Sequence, residues 1–515
     1  MLPRQVFSSF PMHRLSSPIS PSRIRWRILL LLLLISIITY IDRVNISVTA
    51  RQMMPALGLT DLQMGQIFSA FVFGYALFQI PGGWLGDRWG PRRVLTFALI
   101  WWSIFTALTA VAPTLPLANL IGIMGSLMVV RFLIGIGEAA ALPNFNRAVA
   151  NWHPPNERGL GIGITIGGIG LGSALTPPLT AWIMVNYGWQ TAFYLAGGLG
   201  IGIALLWYWY ATDHPRQHAH VNTTEAELIE DSESLPDPPA PLEGRSGKAW
   251  GTVHDVFTEF EAREGRPPAS QAKANGTGGK KDTPNSSTPL RTGKKGEPAP
   301  SHQSKRTTLP WKAILTTPTV WWLTLSYTCL GYVAYVYMSW FYLYLVNVRG
   351  FAILQGAFFA SAPFIAMAIF CPLGGWVTDR LTEQYGINRG RASVGGAGMI
   401  LAALSIIIGA NIEAPYVAIG FLSLGAGWLY FTVGPFWSST TDLSKPYAGT
   451  LSGLMNTGAN LGGTLSPTLT PWLADTFGWS VSLGIAAGIA LLGGLCWLMI
   501  RPEHGLNIPK PVDRA

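Results

Sequence analysis

Four ionisable residues stand inside otherwise apolar runs of this sequence: Asp42, Arg43, Arg131 and Glu138. At the centre of a membrane helix each opposes insertion by about 2.5 to 3.5 kcal/mol, so together they cost on the order of 10 kcal/mol unless paired or wetted. Residues kept at such a cost mark a binding site or a pathway. Arg131 and Glu138 are seven residues apart, two helical turns, which sets them on one face about 10 Å apart along the axis. Both can line one cavity at different depths. Asp42 and Arg43 are adjacent and diverge by about 100° on a helix, so they cannot serve the same contact; Thr39, Tyr40, Arg43 and Ser47 share a stripe instead.

Two guanidiniums, permanently charged and able to grip a carboxylate through two parallel hydrogen bonds, suit an organic anion better than a cation or a neutral sugar. The two carboxylates can titrate, because desolvation favours the protonated form and a nearby guanidinium favours the ionised one. That competition allows proton and anion occupancy to be coupled. The structural alternative is a pair of salt bridges, Asp42 to Arg131 and Glu138 to Arg43, clamping two helices together.

Weaker polar signals accompany these. Asn456 and Asn460 are one helical turn apart, as are Tyr75 and Gln79; such neutral groups read substrate hydroxyls or form interhelical hydrogen bonds worth under about 2 kcal/mol. Trp437, Ser438 and Ser439 fall near the end of an apolar run, where gate contacts are expected. Gly159, Gly163 and Gly167, and Gly449 and Gly453, place a small residue at every fourth position. Close helix packing is the expected use, with a sliding seam as a further one.

A membrane scaffold must hold these groups. The chain has 515 residues, 49% hydrophobic and 12% charged, against about a quarter charged in a soluble protein. Runs of about 20 residues, the length a bilayer core demands, lie near 26–48, 62–85, 94–113, 120–142, 159–185 and 191–211, then 319–345, 352–378, 392–410, 415–438, 449–473 and 480–500. The first run follows Arg23, Arg25 and Arg27 as a signal peptide would, but it continues to Val48 without a small-x-small cleavage pair and is read as a membrane helix. Arg88, Arg92, Arg93, Arg147, Arg158, Arg380, Arg389, Arg391 and Lys445 fall in loops of one side, against Arg51 and Arg349 on the other. Both termini are therefore expected in the cytoplasm. The net charge of +9 is thus a topology signal, and no basic helix with interleaved aromatics supports nucleic-acid binding.

The expected organisation is a cytoplasmic tail over 1–25, a six-helix bundle over 26–211, a cytoplasmic, disordered linker over 212–310, a second bundle over 311–500 and a tail over 501–515. The linker is rich in Pro, Gly, Ser, Thr, Lys and Glu. Its His214, His218 and His220 lack a fourth ligand and read as polar residues rather than a metal site; Gly278 to Lys280 lacks the full spacing of a phosphate loop. Cys329, Cys371 and Cys496 are isolated within apolar runs. The bundles repeat each other: Gly172, Leu175, Pro177, Leu179, Thr180, Trp182, Gly188 and Trp189 recur about 290 positions later as Gly462, Leu465, Pro467, Leu469, Thr470, Trp472, Gly478 and Trp479. Gly82-Gly83-Trp84 with Asp87-Arg88 recurs likewise as Gly374-Gly375-Trp376 with Asp379-Arg380. Two such repeats place a site near the midplane, where one half can rock against the other.

The stretch Gly83-Trp84-Leu85-Gly86-Asp87-Arg88-Trp89-Gly90-Pro91-Arg92-Arg93, at the end of the second run, resembles the loop 2–3 signature of the major facilitator superfamily. Tyr40-Ile41-Asp42-Arg43-Val44-Asn45, Arg131-Phe132 through Gly137-Glu138 with Pro143, and Glu157-Arg158 are similar to the anion:cation symporter family within it, which contains sugar-acid permeases and the vesicular glutamate and sialic-acid carriers. The resemblance implies an all-α membrane protein of twelve transmembrane helices in two pseudo-symmetric six-helix bundles, in a bacterial inner membrane. It assigns Arg43 and Arg131 to substrate, and Asp42 and Glu138 to protons. Tyr40, Tyr75, Asn456 and Asn460 are further substrate-contact candidates, and Asp87, Arg88, Asp379 and Arg380 gate candidates, the two aspartates as caps of neighbouring helix N-termini.

The function expected is secondary active transport of a small organic anion, a sugar acid or similar carboxylate, by proton symport with alternating access. The partners are that anion, protons and the lipid bilayer, with no cofactor, metal or nucleic acid. Rivals are a drug or organophosphate antiporter of the same fold and a nutrient sensor signalling through the linker. A membrane enzyme is disfavoured, since no run carries a metal cluster or a nucleophile beside a base.

Overall fold

The computed structural model describes residues 20–230, 311–444 and 447–506, apart from the side chains of 155 and 156. The tail before residue 20, the linker from 231 onward with Gly278 to Lys280, Lys445 and the last nine residues lie outside the described residues. Regular structure among the described residues is entirely helical. The first half comprises α1 (Ile24–Leu57), α2 (Asp61–Trp89), α3 (Pro91–Thr109), α4 (Pro116–Glu138) continued by α5 (Ala141–Trp152), α6 (Pro155–Tyr187) and α7 (Trp189–Tyr210). The short α8 (Thr223–Glu230) and α9 (Trp311–Thr316) flank the linker. The second half comprises α10 (Pro318–Leu343), α11 (Ile353–Ala360) continued by α12 (Ala362–Tyr385), α13 (Ile387–Asn411), α14 (Pro415–Phe431) continued by α15 (Val433–Leu443), α16 (Ala448–Phe477) and α17 (Trp479–Cys496).

Ten of these stretches are long and apolar enough to cross a bilayer. The remaining two, α3 and α16, complete the twelve; α3 opens on Arg92 and Arg93, and the amides and hydroxyls of α16 dilute its hydropathy. The internal repeat is visible in the turns. Gly90 and Gly386 join the second helix of each half to the third, Gly188 and Gly478 join the fifth to the sixth, and all four hold φ between 82° and 90°, a region closed to most side chains. At the start of α2 a capping box forms, with the Gln63 N–H donating to Thr60 Oγ1 at 3.2 Å and the Thr60 N–H to Gln63 Oε1 at 3.0 Å.

The halves meet at the end remote from the arginine-rich loops. Ser69 and Thr468 hydroxyls lie 2.8 Å apart, Phe68 packs edge-on against Trp340, and Ser361 Oγ donates to the Ala174 carbonyl at 2.5 Å. Toward the arginine-rich end the seam opens, and here the glycine expectation is corrected. Gly159, Gly163, Gly167, Gly449 and Gly453 have no atom within 4 Å of an added Cβ, so they pack against nothing. Close packing within the halves falls on other faces of the same helices: Gly168 and Gly172 lie against α1, and Gly458 and Gly462 against α10. The open glycines share helical faces with Gly170, which meets Ala368, and with Asn460, which meets Gln79. They therefore point across the seam, beyond the depth at which the halves separate.

Candidate functional site

Glycine brings α2 and α4 together beneath the site. A Cβ on Gly74 would lie 2.4 Å from the Phe132 carbonyl oxygen, and one on Gly135 would lie 2.1 Å from that of Phe71; only glycine permits that approach. Phe71 thereby becomes a shared floor, 5.1 Å below the Arg43 guanidinium carbon and 4.7 Å from that of Arg131. Arg43 donates to Glu138 Oε2 from Nη2 at 2.9 Å and from Nε at 3.2 Å, and to Tyr40 Oη at 3.3 Å. The rings of Tyr40 and Tyr75 lie 4.7 and 4.6 Å from it, completing an aromatic cage for a cation.

Arg131 is held differently. It is 2% exposed, its Nε has no partner, and among the described residues neither a hydrogen bond nor an ion pair satisfies its guanidinium. Asp42 is fully buried and accepts a hydrogen bond from Trp102 Nε1 at 3.1 Å. Of the two salt bridges weighed from the sequence, Glu138 to Arg43 is present, whereas Asp42 to Arg131 is not. The divergence of adjacent residues explains this: Arg43 points to α4, and its neighbour points to α3. A small cavity lies between Arg43, Ser47, Phe68, Phe71, Arg131 and Tyr335.

In the second half, Asn460 donates across the seam to Gln79 Oε1 at 3.3 Å and back to the Asn456 carbonyl at 2.9 Å, while Asn456 lies half-buried one turn nearer the arginine-rich end. The four gate candidates stay within their own halves. Asp87 pairs with Arg147; Asp379 pairs with Arg391 at 3.1 Å, which also holds Asp442 at 3.0 Å. Arg88 and Arg380 are exposed and stack on Trp84 and Trp376 of their own helices. The cap expected of Asp87 on α3 is supplied by Asp213, whose Oδ1 accepts the Arg92 N–H at 2.8 Å. Sequence spacing could not reveal Asp213, because it returns from beyond α7, 121 residues away in the chain. Trp102 and Phe71 were likewise missed, though Phe71 shares the face of Tyr75 at i, i+4.

The start of the linker is built onto the first half rather than free of it. Glu225 on α8, fully buried, accepts hydrogen bonds from Ser22 Oγ, the N–H groups of Ile24 and Arg25 at 3.0 and 3.2 Å, and Arg25 Nη1 at 3.2 Å. It caps α1 from outside the helix. Arg25 also grips Glu157 at the start of α6. His218 packs edge-on against Trp152 and Tyr210, and its Nδ1 accepts the His220 N–H. Among the described residues no metal-binding group of His, Cys, Asp or Glu forms.

Burial alone would raise the Glu225 carboxyl, but the hydrogen bonds from Ser22, Ile24 and Arg25 hold it below the ordinary glutamate range. Its stabilising contribution is therefore complete above that range and is lost as pH falls through it. Glu225→Gln is expected to lower the melting temperature at pH 7 by about 2–5 °C, with the gap to wild type closing below about pH 4. Thermal unfolding followed across pH measures both.

The chain matches the family model of the Major Facilitator Superfamily over residues 32–467 and 440–514. It is 30% identical over 494 residues to a probable sulfoacetate transporter of Cupriavidus necator, covering 95% of this chain and 96% of that one. It is 27% identical to a D-galactonate transporter of Escherichia coli O6:H1, covering 93% and 96%. Among solved structures, a bacterial homolog of the human lysosomal transporter Spinster in an inward-facing, occupied conformation superposes with a TM-score of 0.65 at 17% identity, covering 92% of this chain and 96% of that one; at that identity the likeness concerns the fold.

Proposed function

The chain belongs to the major facilitator superfamily and is a multi-pass membrane transporter, and we propose that it moves a small organic anion, a sugar acid or other carboxylate, by proton symport with alternating access. One observation carries the anion reading: Arg131 is a buried guanidinium that makes no hydrogen bond and no ion pair within 4 Å among the described residues, with Asp42 and Glu138 acting on it only from farther away, beside a cavity whose other guanidinium is bonded directly to Glu138. A buried charge left unpaired is expensive, and the carboxylate or sulfonate of a substrate removes that cost. A proton arriving at Glu138 weakens its hold on Arg43 and frees a second guanidinium, so proton and anion binding reinforce each other. Asp42, held by Trp102, is the second proton carrier in this reading. Tyr40 and Tyr75 shape the Arg43 cage, and Asn456 and Asn460 face the substrate or the seam from the second half. Asp87, Arg88, Asp379 and Arg380 act at the gate of the arginine-rich end.

That end is proposed to face the cytoplasm of a bacterial inner membrane, which makes the described conformer inward-facing. The test is counterflow in proteoliposomes loaded with galactonate or sulfoacetate. A transporter exchanges labelled anion intact, whereas a sensor binds without exchange and an enzyme alters the solute. Alternating access has its own test in Gly163→Leu. The added side chain meets open space in this conformer but must be accommodated when the seam closes, and overpacking costs about 1–3 kcal/mol. Turnover is expected to fall by roughly 5- to 150-fold, with little change in melting temperature; unaltered turnover would remove the seam from the transport cycle.

A further inference from the structure

We infer that Tyr327 is a specificity-determining hydrogen-bond donor for the end of the substrate remote from Arg131, and that Trp437 is the residue that positions it. The inference rests on the anion reading above and extends it to a substrate class: organic acids with an acceptor-rich group at both ends.

The second half brings no charge to the site. Its one buried charged side chain among the described residues is Arg391, and that guanidinium is occupied by Asp379 and Asp442 at the arginine-rich end. What faces the arginines from this half is a phenol, Tyr335 on α10, which adjoins Arg43 and Arg131 in the cavity wall. Tyr327 stands eight residues before it on the same helix, about two turns away, within electrostatic reach of Tyr40 and Tyr75 from the first half and of Cys371 from α12. Tyr327 is 7% exposed, and its ring packs against Phe436 with centroids 4.8 Å apart, which fixes its direction.

Its hydroxyl is not free to choose a role. Trp437 Nε1 donates to Tyr327 Oη at 3.1 Å, and an indole N–H can only donate. With an acceptor site of the phenol oxygen taken by Trp437, the proton of Tyr327 is left for a partner that accepts. No described residue takes it. A substrate tail bearing a second carboxylate or a sulfonate does so; an alkyl tail leaves the donor unsatisfied, and an ammonium tail opposes donor to donor. A site built to donate rejects an analogue without the acceptor more strongly than an apolar pocket rejects an extra group. Trp437, expected from the sequence to act at a gate, is by this geometry part of the support of the site.

The experiment compares matched anions as competitors of exchange in proteoliposomes, with binding followed in parallel by thermal shift: sulfoacetate against propionate, and glutarate against pentanoate. Wild type is expected to prefer the two-ended member of each pair by about tenfold, equivalent to about 1.4 kcal/mol. Tyr327→Phe, which keeps the ring, should bring that ratio close to one. Trp437→Phe, which leaves every atom of Tyr327 in place, should reduce the ratio in part by freeing the hydroxyl to reorient. A tenfold preference retained in both variants, or absent from wild type, overturns the inference. Failure of the anion reading itself looks different, since none of the four compounds would then bind or exchange in wild type. Gel filtration and melting temperature establish that each variant is folded.

Discussion

Arg131→Lys is expected to reduce uptake at subsaturating anion by about 10- to 150-fold while leaving the melting temperature of the empty protein unchanged or slightly raised. The two halves of this expectation have separate causes. Lysine keeps the charge but replaces a planar fork with a compact, strongly hydrated ammonium that cannot form two parallel bonds to a carboxylate, and a hydrogen bond to a charged group is worth about 1.5–3 kcal/mol. Stability is spared because Arg131 has no ion pair or hydrogen bond to lose among the described residues, and its stacking on Phe71 is partly kept by another cation. Arg43→Lys is the control. It disrupts the fork on Glu138 and the Tyr40, Phe71 and Tyr75 cage, so both transport and melting temperature should fall. Initial uptake rates and thermal shift distinguish the two arginines; wild-type affinity in Arg131→Lys would defeat the assignment of the anion to that residue.

The arrangement of charges was legible to a different degree on each helix. The adjacency of Asp42 and Arg43 requires divergent partners, and the structure supplies them, Trp102 for one and Glu138 for the other. What spacing could not tell is which arginine remains open, because that depends on the rotation of α1, which packs on α6 at Gly168 and Gly172, relative to α4, which packs on α2 at Gly74 and Gly135. The spans and the repeat were readable since lipid demands long apolar helices and the two halves meet that demand with the same turn glycines. The glycine stripes misled because a four-residue period identifies a face and not the neighbour across it. Gly163 and Gly453 have the spacing of packed residues, yet no atom lies within 4 Å of a Cβ added at either. Partners distant in the chain, such as Asp213 on α3 and Glu225 on α1, leave no local period to find. Trp437 likewise gives no local sign of Tyr327, since only the fold brings the two together.

Glu138→Gln is expected to separate exchange from accumulation. Glutamine resembles the protonated carboxylic acid in shape and lacks its charge, so it holds Arg43 more weakly than Glu138 does through its charge-assisted fork. Anion exchange should continue within a few-fold of wild type and become insensitive to pH, because the group that competes with substrate for Arg43 no longer changes charge. Uptake driven by an imposed proton gradient should be lost, because the empty carrier can no longer release a proton by re-forming the Arg43–Glu138 pair. Asp42→Asn tests the other carboxylate without touching that pair: an amide oxygen still accepts from Trp102, and Arg43 and Glu138 remain bonded. If Asp42 carries a proton independently, Asp42→Asn will weaken accumulation while leaving the pH dependence of exchange that arises from Glu138. Normal, pH-dependent accumulation in Glu138→Gln would instead mean that the Arg43–Glu138 bridge only joins α1 to α4, with its value lying in packing and not in coupling. Measuring both variants in the same vesicles, with exchange and gradient-driven uptake read separately, decides between a moving ion pair and a fixed one.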